Sequence, residues 1–134
     1  MTLADPPRVS VVRDVPDVRP YMAKAAVFVV PIRPHSGVRL KILEGFAMGK
    51  ATVSTGLAAE GLDIEDGEHL LVRDDAESFA DAVVKLLEDK AERRRLAAAG
   101  RALVESEYSW ESACSKLEAH LAELTAGRET RVET

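Results

Sequence analysis

The chain has 134 residues, the length of one domain, with 46% hydrophobic residues to build a core and 31% charged residues to keep it in solution. Its formal net charge of −5 argues against non-specific nucleic-acid or membrane binding, both of which need a basic face. Cys114 is the only cysteine, so neither an internal disulfide nor a cysteine-based metal site can form, and His35, His69 and His120 have no metal-ligand spacing.

Residues 8–12 (RVSVV) are a short β-branched run and predict a strand. Asp17 is placed to cap a short helix over 18–24, with Pro20 tolerated in its first turn. Residues 26–30 (AVFVV) are continuously apolar and predict a strand buried on both faces, as in a parallel sheet. The spacing of Leu40, Leu43 and Ala47 predicts a helix over 39–48, closed by Gly49. Residues 51–55 follow as a strand, then a loop, GLAAEGLDIEDGE, and a further strand over 69–72.

The last third is helical. Asp74 and Glu77 have capping-box spacing, and Phe79, Val83, Leu86 and Leu87 form one stripe behind them. A second helix spans 91–107. Ser109 caps a third, in which Ala113, Leu117, Leu121 and Leu124 recur at helical spacing. Arg93, Arg94 and Arg95 read as one solvated face, and Trp110 as a packing anchor. Residues 1–7 and 126–134 read as polar tails around a domain over 8–125. No apolar run approaches the roughly 18–20 residues of a membrane span. The opening MTLADPP lacks the charged start and apolar core of a signal peptide, so a cytoplasmic location is the default expectation.

Alternation of strands and helices predicts an α/β fold, Rossmann-like, with a mainly parallel sheet and helices on both faces. The unit over 26–55 puts a loop and a helix N-terminus at the carboxyl edge of that sheet, where free N–H groups and the helix dipole suit phosphate. Gly37, Val38 and Arg39 lie at the turn into the helix. Their amides are candidate diphosphate ligands, although Gly37 also serves a tight turn. Arg39 and Lys41 add positive charge there or are simply solvated. His35 is either a phosphate or sugar contact or an exposed bystander. Glu44 sits within the helix as a carboxylate able to take two hydroxyl donors; the alternative is a solvated residue or a partner for Lys41.

The segment from DVRPYMAKAAVFVVP through GVRLKILEGFAMGKATVST to DGEHLLV, with YSWE beyond it, resembles the C-terminal domain of GT-B retaining glycosyltransferases of the family 4 type, whose members often carry G-G-G-T-R-L-K-I-L-E-A-M-A. The resemblance runs from about residue 11 to 124. It implies two Rossmann-like domains with the active site between them, of which this chain holds a truncated, donor-binding portion. The acceptor domain and the first donor-domain strands, with their diphosphate-binding Arg and Lys, are expected to be missing.

By the same resemblance, Glu44 matches the second glutamate of a paired motif that binds the donor ribose. The first of the pair is replaced by Ser36. The implied partner is a nucleotide diphosphate-sugar, bound as substrate, with no further cofactor and no metal. Such enzymes act by positioning and by stabilising the leaving diphosphate, so no residue here is assigned a catalytic proton transfer. The parent is expected to be a bacterial-type glycosyltransferase, and the chain alone inactive and self-associating through an exposed sheet edge or apolar face. The alternative is a non-catalytic α/β interaction module or a nucleotide-binding fragment without G-x-G-x-x-G or P-loop.

Overall fold

The computed structural model describes residues 9–32 and 40–129. Three strands, β1 (Val27–Val30), β2 (Ala51–Ser54) and β3 (Leu71–Val72), form one parallel sheet in the order β1-β2-β3. Val27 pairs with Ala51 and Val30 with Ser54, and Val53 pairs with Leu71. Parallel neighbours need crossovers, and α2 (Leu40–Ala47) supplies the one between β1 and β2. α1 (Arg19–Lys24) precedes β1, and α3 (Gly56–Ala59), α4 (Ala76–Glu88), α5 (Lys90–Glu107) and α6 (Trp110–Glu129) complete the described elements.

Side chains alternate across the sheet and build a core on each face. Val30 and Leu70 join Ile42 and Phe46 of α2 and Ala58 and Ala59 of α3, with Phe28 and Val72 packed alongside. On the other face Ala51, Val53 and Leu71 meet Ala82 and Leu86 of α4 and Leu96 of α5. All four residues of β2 are buried, because it is the middle strand and has a helical layer on either side.

α2 buries Ile42, Gly45 and Phe46. The expected inner face through Leu40 is therefore corrected: Leu40 is 61% exposed. Phe46, four residues after Ile42, is the larger filler, and burying the pair turns Leu40 outward. The helix closes as the glycine predicted. Gly49 has φ of 62°, its N–H donates to the Phe46 carbonyl at 2.8 Å, and the Lys50 N–H donates to Gly45 at 2.9 Å. This paired pattern satisfies two of the terminal carbonyls. The Lys50 ammonium then reaches the Ala23 and Ala25 carbonyls at 2.8 and 3.0 Å, tying the end of α1 to the start of β2.

Other expectations need correction. Residues 9–12 form no strand; Val9, Val11 and Val12 are 46%, 54% and 55% exposed. A β-branched run becomes a strand only against a neighbour, and this one is not paired with the described sheet. β3 is shorter than 69–72, because the His69 Nδ1 accepts the Glu65 N–H at 3.1 Å and so belongs to the preceding turn. The loop after β2 contains α3, whose N-cap is Thr55. Asp17 does not cap α1. Val18 holds that position, and Asp17 instead accepts from the Arg19 N–H and guanidinium. Arg93 is not part of a solvated row: it donates to the Leu86 and Leu87 carbonyls at the end of α4, while Arg95 donates to Gly67. Trp110 anchors nothing among the described residues. It is 87% exposed at the start of a helix that stands off the domain, with Leu117, Leu121 and Leu124 also exposed.

The cap of α4 is Asp75, one residue later than the expected Asp74. Its carboxylate accepts the Ser78 N–H at 2.9 Å and the Ser78 hydroxyl. The Ser78 hydroxyl, and then its N–H, hold the Asp75 carboxyl below the ordinary carboxylate range. A folded-state value lowered in this way stabilises the chain above the unfolded pKa of about 3.9, and the contribution disappears as the pH falls through the folded value. Asp75→Ala should therefore lower the melting temperature at pH 7, and the gap from wild type should close on acidification towards pH 3. A gap that stays constant with pH would contradict this.

Candidate functional site

Three strand exits meet at the carboxyl edge of the sheet. β1 leaves through Pro31 and Ile32, β2 through Thr55, and β3 through Arg73 and Asp74. Polar contacts stitch them together. The Thr55 hydroxyl donates to the Ile32 carbonyl at 2.7 Å. The Gly56 N–H donates to the Asp74 carboxylate at 2.8 Å, and the Arg73 N–H donates to the Ser54 carbonyl at 2.8 Å. A cavity of about 190 Å³ opens here, lined in part by Pro31, Thr55, Asp74, Asp75 and Phe79. In open α/β sheets, the crevice outside the strands' carboxyl ends is where ligands bind.

The electrostatics of this edge are uneven. The N-termini of α3 and α4 face Asp74 and Asp75, which already accept their amides. A further anion gains little at these two positions. In the sequence, Arg39 directly precedes α2, and Lys41 lies in the first turn of that helix.

Glu44 lies on α2 two residues from Ile42 and two from Phe46. At about 100° per residue, that puts it on the side opposite the buried pair. It is exposed, and so is Lys41, one turn earlier. Among the described residues neither enters an ion pair. His35, Ser36, Gly37, Val38 and Arg39 lie outside the described residues. No group of three or more metal-ligating side chains occurs among those described. Sequence reasoning missed Thr55 and Asp74. The signal available for Thr55 was its position directly before Gly56, an N-cap pattern at the end of a strand.

The family description "Glycosyl transferases group 1" matches residues 2–89, from the N-terminal segment to the N-cap of α5. The chain belongs to the group 1 glycosyl transferases. α2 and the three strand exits lie within the match, whereas YSWE and α6, the last part of the resemblance, lie beyond it.

Among curated relatives, the chain is 36% identical over 98 residues to the lipopolysaccharide core biosynthesis glycosyltransferase LpsE of Rhizobium meliloti, covering 72% of this chain and 28% of that protein. It is 31% identical over 109 residues to the GDP-mannose-dependent monoacylated alpha-(1-6)-phosphatidylinositol monomannoside mannosyltransferase of Corynebacterium glutamicum, covering 67% of this chain and 26% of that protein. The chain thus spans little more than a quarter of the length of these two glycosyltransferases. No solved structure gives a significant match. Among the described residues, no helix is long and apolar enough to cross a membrane.

Proposed function

We propose that this chain is the nucleotide-sugar-binding part of a cytoplasmic, bacterial-type glycosyltransferase that moves a sugar to a glycan or lipid-linked acceptor. The observation that carries the reading is the placement of Glu44, exposed and opposite the buried face of the crossover helix, within the segment that matches the family. In this role Glu44 accepts the ribose hydroxyls of the donor, and the amides of Gly37, Val38 and Arg39 hold the diphosphate at the helix N-terminus. Lys41, Ser36 and His35 complete the surroundings of the donor. The donor class is a nucleoside diphosphate-sugar, in keeping with the GDP-mannose named for one relative.

The chain spans about a quarter of the length of these relatives, and on this reading it supplies part of a donor site whose activity needs an acceptor-binding part as well. Incubated alone with a radiolabelled nucleotide-sugar and candidate acceptors, it is expected to give no transfer above buffer hydrolysis. In light scattering it should exceed monomer mass, because Leu117, Leu121, Leu124 and Trp110 leave apolar surface in water at about 25 cal/mol per Å². Turnover that disappears in Glu44→Ala would overturn the partial-site reading. Failure of a nucleoside diphosphate-sugar to bind the full-length parent would remove the donor-site reading itself and favour a non-catalytic module.

A further inference from the structure

The cavity at the carboxyl edge has a lining that selects its occupant by size and chemistry. Its volume of about 190 Å³ falls below the roughly 300–1,000 Å³ of sites that enclose a whole drug-sized ligand. It has room for one ring and not for a nucleotide-sugar. Pro31 and Phe79 supply carbon surface, and Thr55, Asp74 and Asp75 supply oxygens. Those oxygens have no hydrogen to give. The single hydroxyl hydrogen of Thr55 is committed to the Ile32 carbonyl at 2.7 Å. Both oxygens of Asp75 accept from Ser78. Asp74 accepts the Gly56 N–H through Oδ1 at 2.8 Å, and among the described residues no hydrogen bond reaches its Oδ2. An occupant must bring its own donors.

Charge narrows the choice further. Two carboxylates repel an anion, so a phosphate fits poorly. The amides at the starts of α3 and α4 lie against the same carboxylates and offset part of their charge. A cation therefore gains less here than beside a bare acidic pair. What fits is a neutral ring with hydroxyl groups on its rim and C–H groups on its faces.

We propose that this cavity is a subsite for one pyranose ring of a glycan. Asp74 Oδ2 accepts a ring hydroxyl, and Pro31 and Phe79 cover C–H groups. The ring is not the donor's, because a sugar joined to a diphosphate would bring that anion towards Asp74 and Asp75. Nor does the site use Glu44: α4 walls the cavity, whereas α2 packs on the opposite face of the sheet. The inference goes beyond the donor-site reading and does not depend on it.

Saturation-transfer NMR on the full chain tests it, with methyl α-D-mannopyranoside and methyl α-D-glucopyranoside as probes and ethylammonium as a cationic competitor. The variants are Asp74→Asn, Ala80→Gln and Glu44→Gln, each first shown to be folded by circular dichroism. Asparagine keeps a carbonyl oxygen for the Gly56 N–H and replaces the open acceptor with an amide donor. Ala80 is exposed and lines the cavity, so glutamine there fills the space without entering the core.

At least one glycoside should give saturable transfer that ethylammonium does not displace. Asp74→Asn should weaken it by roughly ten- to a hundredfold, the scale of a hydrogen bond to a charged group. Ala80→Gln should abolish it, and Glu44→Gln should leave it within about twofold of wild type. Should Asp74→Asn fail to fold, Ala80→Gln decides, since it leaves the Gly56 bond in place. No saturable transfer from either glycoside overturns the proposal, as does binding that survives Ala80→Gln or that ethylammonium removes. GDP-mannose displacing the glycoside more strongly than methyl mannoside itself overturns it too, by making the ring the donor's. Glycoside binding to this chain, when the full-length parent binds no nucleotide-sugar, defeats the donor-site reading and leaves the subsite standing.

Discussion

Phe46→Ala is expected to lower the stability of this chain by about 3–5 kcal/mol, the range for emptying a fully buried aromatic site. Phe46 has no exposed surface and lies in the core that joins α2, α3 and β1. Its ring also packs against α5 at Gly100. A Cβ added to Gly100 would stand 2.6 Å from the Phe46 Cδ1, inside any allowed contact. Glycine is needed there for space. Gly100→Ala should therefore cost about 1–3 kcal/mol on its own, as overpacking does. In a Phe46→Ala background the new methyl enters the vacated volume, and most of that cost should vanish. Urea denaturation of the two single variants and the double variant measures the coupling; strictly additive losses would show that the ring and Gly100 do not share this space. A small domain has a total stability of about 5–15 kcal/mol, so the single Phe46 substitution brings it close to unfolding.

Glu44→Gln should weaken nucleotide-sugar binding to the full-length parent far more than Ser36→Ala. A charged acceptor shared by two ribose hydroxyls is worth about 1.5–3 kcal/mol, roughly ten- to a hundredfold in affinity. The neutral hydroxyl of Ser36 is worth about 0.5–1.5 kcal/mol at most. Because Glu44 is exposed and lies opposite Ile42 and Phe46, its exchange for the isosteric amide should leave the fold intact, so the comparison reads the ligand contact. Calorimetric titration of both variants with the nucleotide-sugar gives the answer. Equal or reversed losses would make Glu44 an ordinary helix-surface residue.

The parts of the fold legible in the sequence were those whose signal is local. AVFVV and ATVS are apolar or β-branched on both faces and became β1 and the buried β2. Gly49 foretold the end of α2 because a left-handed residue is a local requirement. What failed depended on partners elsewhere. Residues 9–12 carry strand propensity but no paired neighbour in the described sheet. Trp110 is large and apolar, yet nothing on its own helix could reveal that α6 stands away from the body. Asp74 and Asp75 are adjacent carboxylates, and only the position of Gly56 in space decides which caps α4 and which crosses to the start of α3.

The site divides in the same way. Glu44 is a candidate because it lies in a motif that resembles the family's. Thr55 and Asp74 carry no such signal, because their partners lie 23 and 18 residues away and no spacing rule connects them.

The burial of every residue in β2 has a consequence for how the molecule comes apart. Ala51 and Val53 face one core, and Thr52 and Ser54 are turned towards the other side, all at 1% exposure or less. Neither core can lose its wall without stripping the opposite one. The α2 and α4 layers, which do not share a core, are therefore bound into a single opening unit through four residues of chain. Their amides belong with the slowest to exchange, and a local fluctuation that frees α4 alone must stop short of β2 or become global unfolding.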